Sequence, residues 1–370
     1  MTIARNPRPS GAPPAVRRAL IVSGSVGAGH DGPARELADR LRTAGVTTDV
    51  RDFLDALPLR FARLLRRCHI GTASYVPAAN QFLFDKVEQS GLFWHMEQAL
   101  CASASPTVQR WLAQTRPDVV VSTYPRASQC LGRLRSQGRL SAPVFTYVTD
   151  AAVHRRWLHP AVDVHLTATE ATAQQGGVDY GVPMVAAGPL VPPRFAAAIP
   201  PGEAARVRAD LRLPTGRPAA LLVAGSLGVG DLLATVRDVA AAGVVPVALC
   251  GRNESLRRRV AAEPGARALG WRDDVHQLMH VCDVLVHNAG GLSLTEALVA
   301  GLPAVTYRPL PGHGRADAAV LDRSGVAPWA HAPAELAEIL HRQIAAGRVR
   351  RTMPDPTTAV LGAFLQQPAA

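Results

Sequence analysis

The chain has 370 residues, 48% of them apolar and 5% aromatic, with a formal net charge of +11. That length accommodates two domains, each with its own core, and the aromatic-poor composition suits alternating helices and strands rather than an all-β protein. Five scattered cysteines without a CxxC pair leave no basis for a disulfide framework or a zinc site, so they are expected to be reduced packing residues.

The longest apolar run, residues 239–250, is interrupted by Gly243 and Pro246 and is too short to span a membrane. Arg17 and Arg18 precede a short apolar stretch, but a glycine loop follows where a signal peptide would continue, so a cytoplasmic protein is expected. The basic charge is arginine apart from Lys86, a skew most simply explained by coding bias. Positive charge favours anionic surfaces, but no zinc finger, aromatic RNA-binding signature or dense basic tract is present, and nucleic acid is not an expected partner.

In chain order, residues 1–15, rich in Pro, Arg, Gly and Ala, are expected to be a disordered tail. Residues 19–23 read as a strand, 25–32 as a glycine loop, and 33–43 as a helix that starts on Pro33 and buries Ala34, Leu37, Ala38 and Leu41. A strand follows at 46–53. Over residues 57–68, Leu57, Phe61, Leu64, Leu65 and Cys68 recur at helical spacing, with Arg60, Arg63, Arg66 and Arg67 elsewhere on the helix. The plain reading is a core-facing helix with a solvated arginine face; the alternative is a basic amphipathic helix on an anionic membrane surface.

Further buried strands are expected at 118–122 and 143–148, and a proline-rich break spans 188–202. The pattern then restarts, with strand 219–223, glycine loop 224–230, helix 231–242, and strands 244–250, 281–286 and 303–307. This organisation divides the chain into an N-terminal domain (16–190), a linker (191–203), a C-terminal domain (204–350) and a segment (351–370) whose apolar stretch 359–365 packs back across the domains. The expected fold is α/β, two Rossmann-like halves with a cleft between them.

Residues 286–303 carry the strongest functional signal: a strand end, a glycine turn and a helix. Gly290 and Gly291 allow close backbone approach to a ligand, and the free amides at a helix start suit a phosphate. Glu296, one turn further in, can take both hydroxyls of a ribose, and a diphosphate flanked by a ribose describes a nucleotide-sugar. The plain alternative is an ordinary strand-loop-helix unit with a packing glycine.

In the first half, Gly27, Gly29 and Gly32 form a literal GxGxxG with Asp52 at the end of the next strand, the pattern of an NAD(P) oxidoreductase. Against it, His30 would crowd the pyrophosphate, and the second half has a phosphate loop of its own. His30 at a strand's carboxyl end can instead take a proton from a nucleophilic hydroxyl. Asp150, after another strand, can orient or charge-stabilise His30, act as base itself, or simply cap a helix.

Seven segments, GSVGAGH (24–30), RPDVVVSTYP (116–125), VTDAAVHRRWLHPAVD (148–163), AGSLG (224–228), LGW (269–271), NAGGLSLTEALVAGLP (288–303) and RPLPGHGRAD (308–317), stand in order along the chain. Over roughly residues 18–330 the chain resembles the monogalactosyldiacylglycerol synthase and processive diacylglycerol glucosyltransferase group. That group shares a glycosyltransferase family with the enzyme that adds N-acetylglucosamine to lipid I. The resemblance implies a GT-B fold, a UDP-sugar bound by the C-terminal domain, a lipid or other hydroxyl acceptor bound by the N-terminal domain, and inversion without metal or cofactor. It also implies work at the inner face of the cell membrane.

By position, the resemblance makes His30 the catalytic base and Asp150 its cleft-facing carboxylate. Gly225, Ser226 and Gly228 fall in the diphosphate loop, and Leu269, Gly270 and Trp271 in the wall around uracil. Gly290, Gly291, Leu292 and Ser293 form the second phosphate contact, Glu296 the ribose ligand, and His313 a further donor contact. Gly29, Trp157 and His159 fall toward the acceptor.

Two departures bear on specificity. Asn288 stands where a basic residue is common, leaving more of the phosphate contact to the amides and to His287. Pro311, Gly312, His313 and Gly314 replace a PGQE segment whose Gln and Glu contact the hexose, and Asp317 replaces a common Asn. UDP is thus expected and the hexose left open, and a UDP-binding protein without transferase activity is the non-enzyme alternative.

Overall fold

The computed structural model describes residues 17–25, 27–58, 61, 86, 88, 91–225 and 230–365. The basic helix expected over 57–68 falls almost wholly outside the described residues, as do the expected tail, Cys68, Ser226 and Gly228. The other four cysteines are buried free thiols.

The N-terminal half builds one six-stranded parallel sheet from β1 (Arg18–Ser23), β2 (Thr47–Asp52), β3 (Val119–Ser122), β4 (Val144–Val148), β5 (Val164–Thr167) and β6 (Val185–Ala186), in the order β2-β1-β3-β4-β5-β6. Around it lie α1 (Ala28–Thr43), α2 (Gly91–Ser103), α3 (Ser105–Thr115), α4 (Pro125–Ser136) and α5 (Glu170–Tyr180). After α6 (Pro201–Asp210), a second parallel sheet forms from β7 (Ala219–Val223), β8 (Val245–Leu249), β9 (Arg267–Leu269), β10 (Val284–His287), β11 (Ala304–Tyr307) and β12 (Trp329–Ala330), in the order β12-β11-β10-β7-β8-β9. Its helices are α7 (Leu232–Ala241), α8 (Glu254–Ala261), α9 (Val275–Val281), α10 (Gly291–Ala300), α11 (His313–Arg323) and α12 (Pro333–Ala346), and α13 (Pro356–Leu365) ends the described chain. The central strands β3, β4, β8 and β10 are buried along their whole length. Burial on both faces is why they read as continuous apolar runs.

Two boundaries differ from the sequence expectation for a physical reason. Helix α1 starts at Ala28, so Gly29, His30 and Gly32 are helical and Pro33 lies inside the helix. Gly27 is fully extended, and the Asp31 carboxylate in the first turn accepts from the Ser23 and Ser25 hydroxyls at 2.6 and 2.9 Å. These contacts anchor the early turn, and Ala34, Leu37, Ala38 and Leu41 remain the buried face. Strand β10 starts at Val284 because α9 runs through Val281 and the Asp283 carboxylate then turns the chain by accepting from Ala219 N at 2.8 Å.

The chain crosses between domains twice. Leu190 packs in the N-terminal core with Leu37 and Tyr147, whereas Val191 and Phe195 pack in the C-terminal core with Leu221 and Leu285. On the return, Val349 N bonds Gly301 O in the C-terminal domain, and Val360 of α13 is buried with Leu37 and Ala38. Arg40 of α1 pins both crossings, donating to Val191 O at 2.6 Å and to Asp355 Oδ1 at 2.9 Å.

The two crossings touch at Gly188, whose φ is +93° and whose absent Cβ would lie 1.9 Å from the Pro354 carbonyl oxygen. Gly188→Ala should therefore destabilise the protein by about 2 kcal/mol or more, measured by urea denaturation; wild-type stability would mean that the crossing segments are not held together.

Candidate functional site

In a parallel sheet the crevice opens where neighbouring crossovers run in opposite directions, at the carboxyl ends of the strands. In the N-terminal sheet that point lies between β1 and β3; in the C-terminal sheet it lies between β7 and β10. The two crevices face each other. Helix α1 follows β1, α10 follows β10, and the two helices pack together at their starts. A Cβ on Gly32 would lie 3.1 Å from Leu292, and one on Gly291 would lie 2.1 Å from the Thr149 carbonyl oxygen. Gly291 thus admits the backbone of the opposite domain, a contact distinct from the ligand approach its sequence context suggests. Gly290 is extended at φ −79° and has open space around it.

His30 sits at this seam, in the first turn of α1. Its Nδ1 lies 2.9 Å from the Thr123 carbonyl oxygen and 2.9 Å from Thr149 Oγ1. A carbonyl can only accept, so Nδ1 carries the proton and the lone pair stays on Nε2. The ring meets Tyr124 edge-on at 5.1 Å between centroids and lies 5.9 Å from Trp157. Burial lowers its pKa below the usual histidine value, against the opposing pull of Asp150 and the Thr123 carbonyl. The imidazole is therefore neutral at neutral pH, the state a proton acceptor requires.

Asp150 lies just past β4 and makes its hydrogen bonds away from His30. Its Oδ2 accepts from Trp157 Nε1 at 2.8 Å and from His154 Nε2 at 3.2 Å. Burial opposes its charge, but the His154 bond and the fields of His154, His313 and His30 outweigh it and hold the carboxyl well below the usual range. Asp150 acts on His30 through its field, while Thr123 and Thr149 set the ring's orientation.

Of the positions expected to face the acceptor, Trp157 is fully buried, so its part is to hold Asp150 and it offers no surface to a substrate. His159 packs over Gly132, about two turns along α4 from its start, and its Nδ1 accepts from Ala161 N at 3.1 Å. Gly29 has open space around it.

In the C-terminal domain, α10 begins at an N-cap glycine without a side-chain cap and has no acidic residue in its first turn, so the amides of Gly291, Leu292 and Ser293 face no side-chain acceptor there. Ala289, just before them, holds a left-handed φ of +70°, a strained conformation for alanine of the kind found at functional turns. His287 has both ring nitrogens engaged within the C-terminal domain. It is buried, its Nδ1 accepts from Ala289 N at 3.1 Å, its Nε2 bonds the Thr306 hydroxyl at 3.1 Å, and burial pushes its pKa down to about 4.

Glu296 makes no hydrogen bond or ion pair among the described residues, and burial raises its carboxyl to about 7 despite the charge of Arg194. Gly225 has a left-handed φ of +70° at the end of β7. Leu269 ends β9 and Gly270 follows it, and Trp271 is half-exposed with the Arg252 guanidinium 4.6 Å over its ring. His313 opens α11 after Gly312 and feels the Asp150 charge, though burial lowers its pKa.

The dinucleotide pattern of the first loop is put to other uses. A pyrophosphate approaching α1 would meet the Asp31 carboxylate in the first helical turn. Asp52 spends Oδ1 on the backbone N–H groups of Ser25 and Leu54, at 3.1 and 2.9 Å. Among the described residues no three His, Cys, Asp or Glu side chains are grouped to hold a metal ion. Sequence reasoning missed Thr123, Tyr124, Thr149 and His154. Thr123 and Tyr124 belong to the STYP of segment 116–125, and Thr149 and His154 to segment 148–163, but threonines after strands carry no distinctive signal.

Two parallel-sheet α/β domains meeting at an interdomain cleft define the GT-B fold. Residues 35–183 match the family model described as monogalactosyldiacylglycerol (MGDG) synthase. The processive diacylglycerol β-glucosyltransferase of Bacillus thuringiensis (strain Al Hakam) is 29% identical over 229 residues, 58% of this chain and 57% of its own length. That of Bacillus mycoides (strain KBAB4) is 30% identical over 225 residues, 57% of this chain and 56% of its own. The chain thus matches little more than half the length of these curated relatives. MurG of Acinetobacter baumannii superposes with a TM-score of 0.56 at 17% identity, covering 95% of this chain and 100% of that one. The spinosyn rhamnosyltransferase SpnG complexed with thymidine diphosphate gives 0.60 at 16% identity, covering 94% and 100%.

The His30 geometry predicts a neutral imidazole protonated on Nδ1 at pH 7. Nitrogen-detected NMR of labelled protein should show that tautomer and a midpoint below the usual histidine value; a proton on Nε2 would remove the free lone pair from the cleft.

Proposed function

We propose that the chain is an inverting glycosyltransferase that moves a hexose from a UDP-sugar to the hydroxyl of a diacylglycerol-type lipid. The observation that carries the reading is the placement of His30, with Nδ1 tied to the Thr123 carbonyl and Nε2 free as a base, at the seam where α10 presents uncapped amides. The family match over residues 35–183 and the named activity of the Bacillus relatives supply the substrate class.

In the proposed step, His30 Nε2 takes the proton of the acceptor hydroxyl as its oxygen attacks the anomeric carbon. The bond from that carbon to the UDP oxygen breaks on the opposite face, and its electron pair leaves with UDP. The imidazolium then lies in the field of anionic Asp150, which favours its formation. Charge developing on the leaving diphosphate falls to preorganised amides at the start of α10, which cost no reorganisation during transfer and need no metal or cofactor. Glu296 takes the ribose hydroxyls, and Trp271 gives the uracil an exposed aromatic face.

No helix among the described residues is long and apolar enough to cross a membrane. In this reading a lipid acceptor is met at the inner face of the membrane, with the basic stretch 57–68 as the contact proposed for anionic lipid.

Calorimetric titration with UDP, and separately with NAD and NADP, tests the donor assignment. UDP binding alone is expected, and dinucleotide binding alone would return the function to the Gly27–Gly29–Gly32 pattern. His30→Ala should lower transfer by about 10²–10⁴-fold with UDP affinity nearly intact, and equal loss of both would remove His30 from the base role. UDP binding without transfer to any of a broad sugar and lipid panel would favour the non-enzyme reading.

Glu296 adds a pH signature. Ribose hydroxyls donate to the carboxylate, so binding selects the ionised form, and with the free carboxyl at about 7 affinity should fall as pH drops through that value. Between pH 8 and pH 6 the loss should be about tenfold. Glu296→Ala should lack this dependence and bind UDP more weakly by about 1–3 kcal/mol, and unchanged affinity in that variant would exclude the ribose contact.

A further inference from the structure

The seam holds a second buried carboxyl that the transfer step does not use. Asp317 lies on α11 in the C-terminal domain and is 1% exposed. Its Oδ1 accepts the backbone N–H of Ala152, in the N-terminal domain, at 2.7 Å. Its Oδ2 is buried without a hydrogen-bond partner among the described residues. Ala152 stands two residues beyond Asp150 on the same loop, so this bond reaches from one domain to the backbone carrying the anion beside His30.

An ionised Asp317 would leave a bare carboxylate oxygen in the interior. The charged group that acts on it is Asp150, of the same sign. On its own helix, His313 lies one turn earlier and Arg315 is exposed. Helix α5, packed against α11, carries exposed Glu170 and Asp179, which accept from Gln174 and Gln175. Helix α5 also carries the phenol of Tyr180, and strand β12, also packed against α11, carries no titratable side chain. Burial and then the Asp150 charge raise the Asp317 carboxyl well above the usual range, outweighing the backbone N–H groups of Ala152 and Ala151 that favour its charge.

We propose that Asp317 is a neutral interdomain latch, holding the Asp150 loop through Ala152 while the proton on Oδ2 keeps a second carboxylate charge from facing Asp150 across the domain junction. It is a positioning residue, acting on His30 through the loop it fixes. Loss of the proton sets two carboxylates against each other across the domain junction.

Melting temperatures of the wild type, Asp317→Asn and Asp317→Ala from pH 5 to pH 8 test the latch. A carboxyl whose pKa is raised on folding contributes stability that is full below its unfolded pKa and is lost as pH rises through the folded one. The asparagine variant keeps an oxygen for Ala152 N and cannot titrate. Its melting temperature relative to wild type should therefore rise with pH, by roughly 2 °C or more across that range. The alanine variant, without the acceptor, should melt below the asparagine variant throughout. A difference between wild type and Asp317→Asn that is constant with pH, or an asparagine variant no more stable than the alanine one, overturns the proposal.

A second arm rests on the transferase reading. The wild type should lose kcat at alkaline pH where Asp317→Asn does not, and an unchanged alkaline limb in the variant would refute the positioning role. A wild type inactive on every acceptor would sink the transferase reading, and the melting comparison would still decide the latch.

Discussion

The backbone-to-backbone approach of the two domains at the carboxyl ends of their sheets is the constraint on which the site depends. The Thr149 carbonyl oxygen occupies the space a side chain on Gly291 would fill, and Leu292 fills the space above Gly32. Contacts of this kind tolerate little displacement, since interiors are close-packed and an added methylene is felt. They fix the distance between the His30 helix and the amides of α10, on which any in-line transfer across the cleft would depend. The two crossings near Val191 and Asp355, both held by Arg40, set the axis about which the halves are joined.

Electrostatics at the seam follow from burial more than from ion pairing. His30 is half-buried and neutral, and Asp150, also half-buried, stays ionised with His154 and Trp157 donating to it. Asp317, nearby, is pushed the other way by burial and the Asp150 charge, against the backbone N–H groups of Ala152 and Ala151. With Asp150 ionised and Asp317 pushed toward its neutral form, the charge facing the histidine favours its taking a proton. Glu296, half-buried and without a partner among the described residues, completes the pattern, since an unpaired carboxyl has its hydrogen-bonding capacity available to a ligand.

The parallel-sheet architecture was legible in the chain because strands buried on both faces are written as short apolar runs between glycine loops. The strand expected at 219–223 is β7 as observed, and those at 118–122, 143–148 and 303–307 differ from β3, β4 and β11 by a single residue at one end. The start of α1 was placed too late because Pro33 is a strong local start signal, and the hydroxyls of Ser23 and Ser25 that anchor the earlier turn come from outside the helix. His30 and Asp150 stood out as polar residues after strands. Thr123 and Thr149, which orient His30, did not, because a threonine at a strand end is commonplace until another chain segment is brought against it.

The sequence by itself determined which elements form and in which half each lies, because hydrophobic period and turn residues act over a few neighbours. It also marked the chemistry-bearing positions His30, Asp150, Gly291 and Glu296. Only the tertiary structure decided what they face. It brought the Thr149 carbonyl against Gly291, tied both ring nitrogens of His287 inside the C-terminal domain, buried Trp157 behind Asp150, and set Asp317 against Ala152. Those outcomes depend on residues more than a hundred positions apart in several cases, and on burial, which lowers or raises a pKa only when the rest of the fold excludes water.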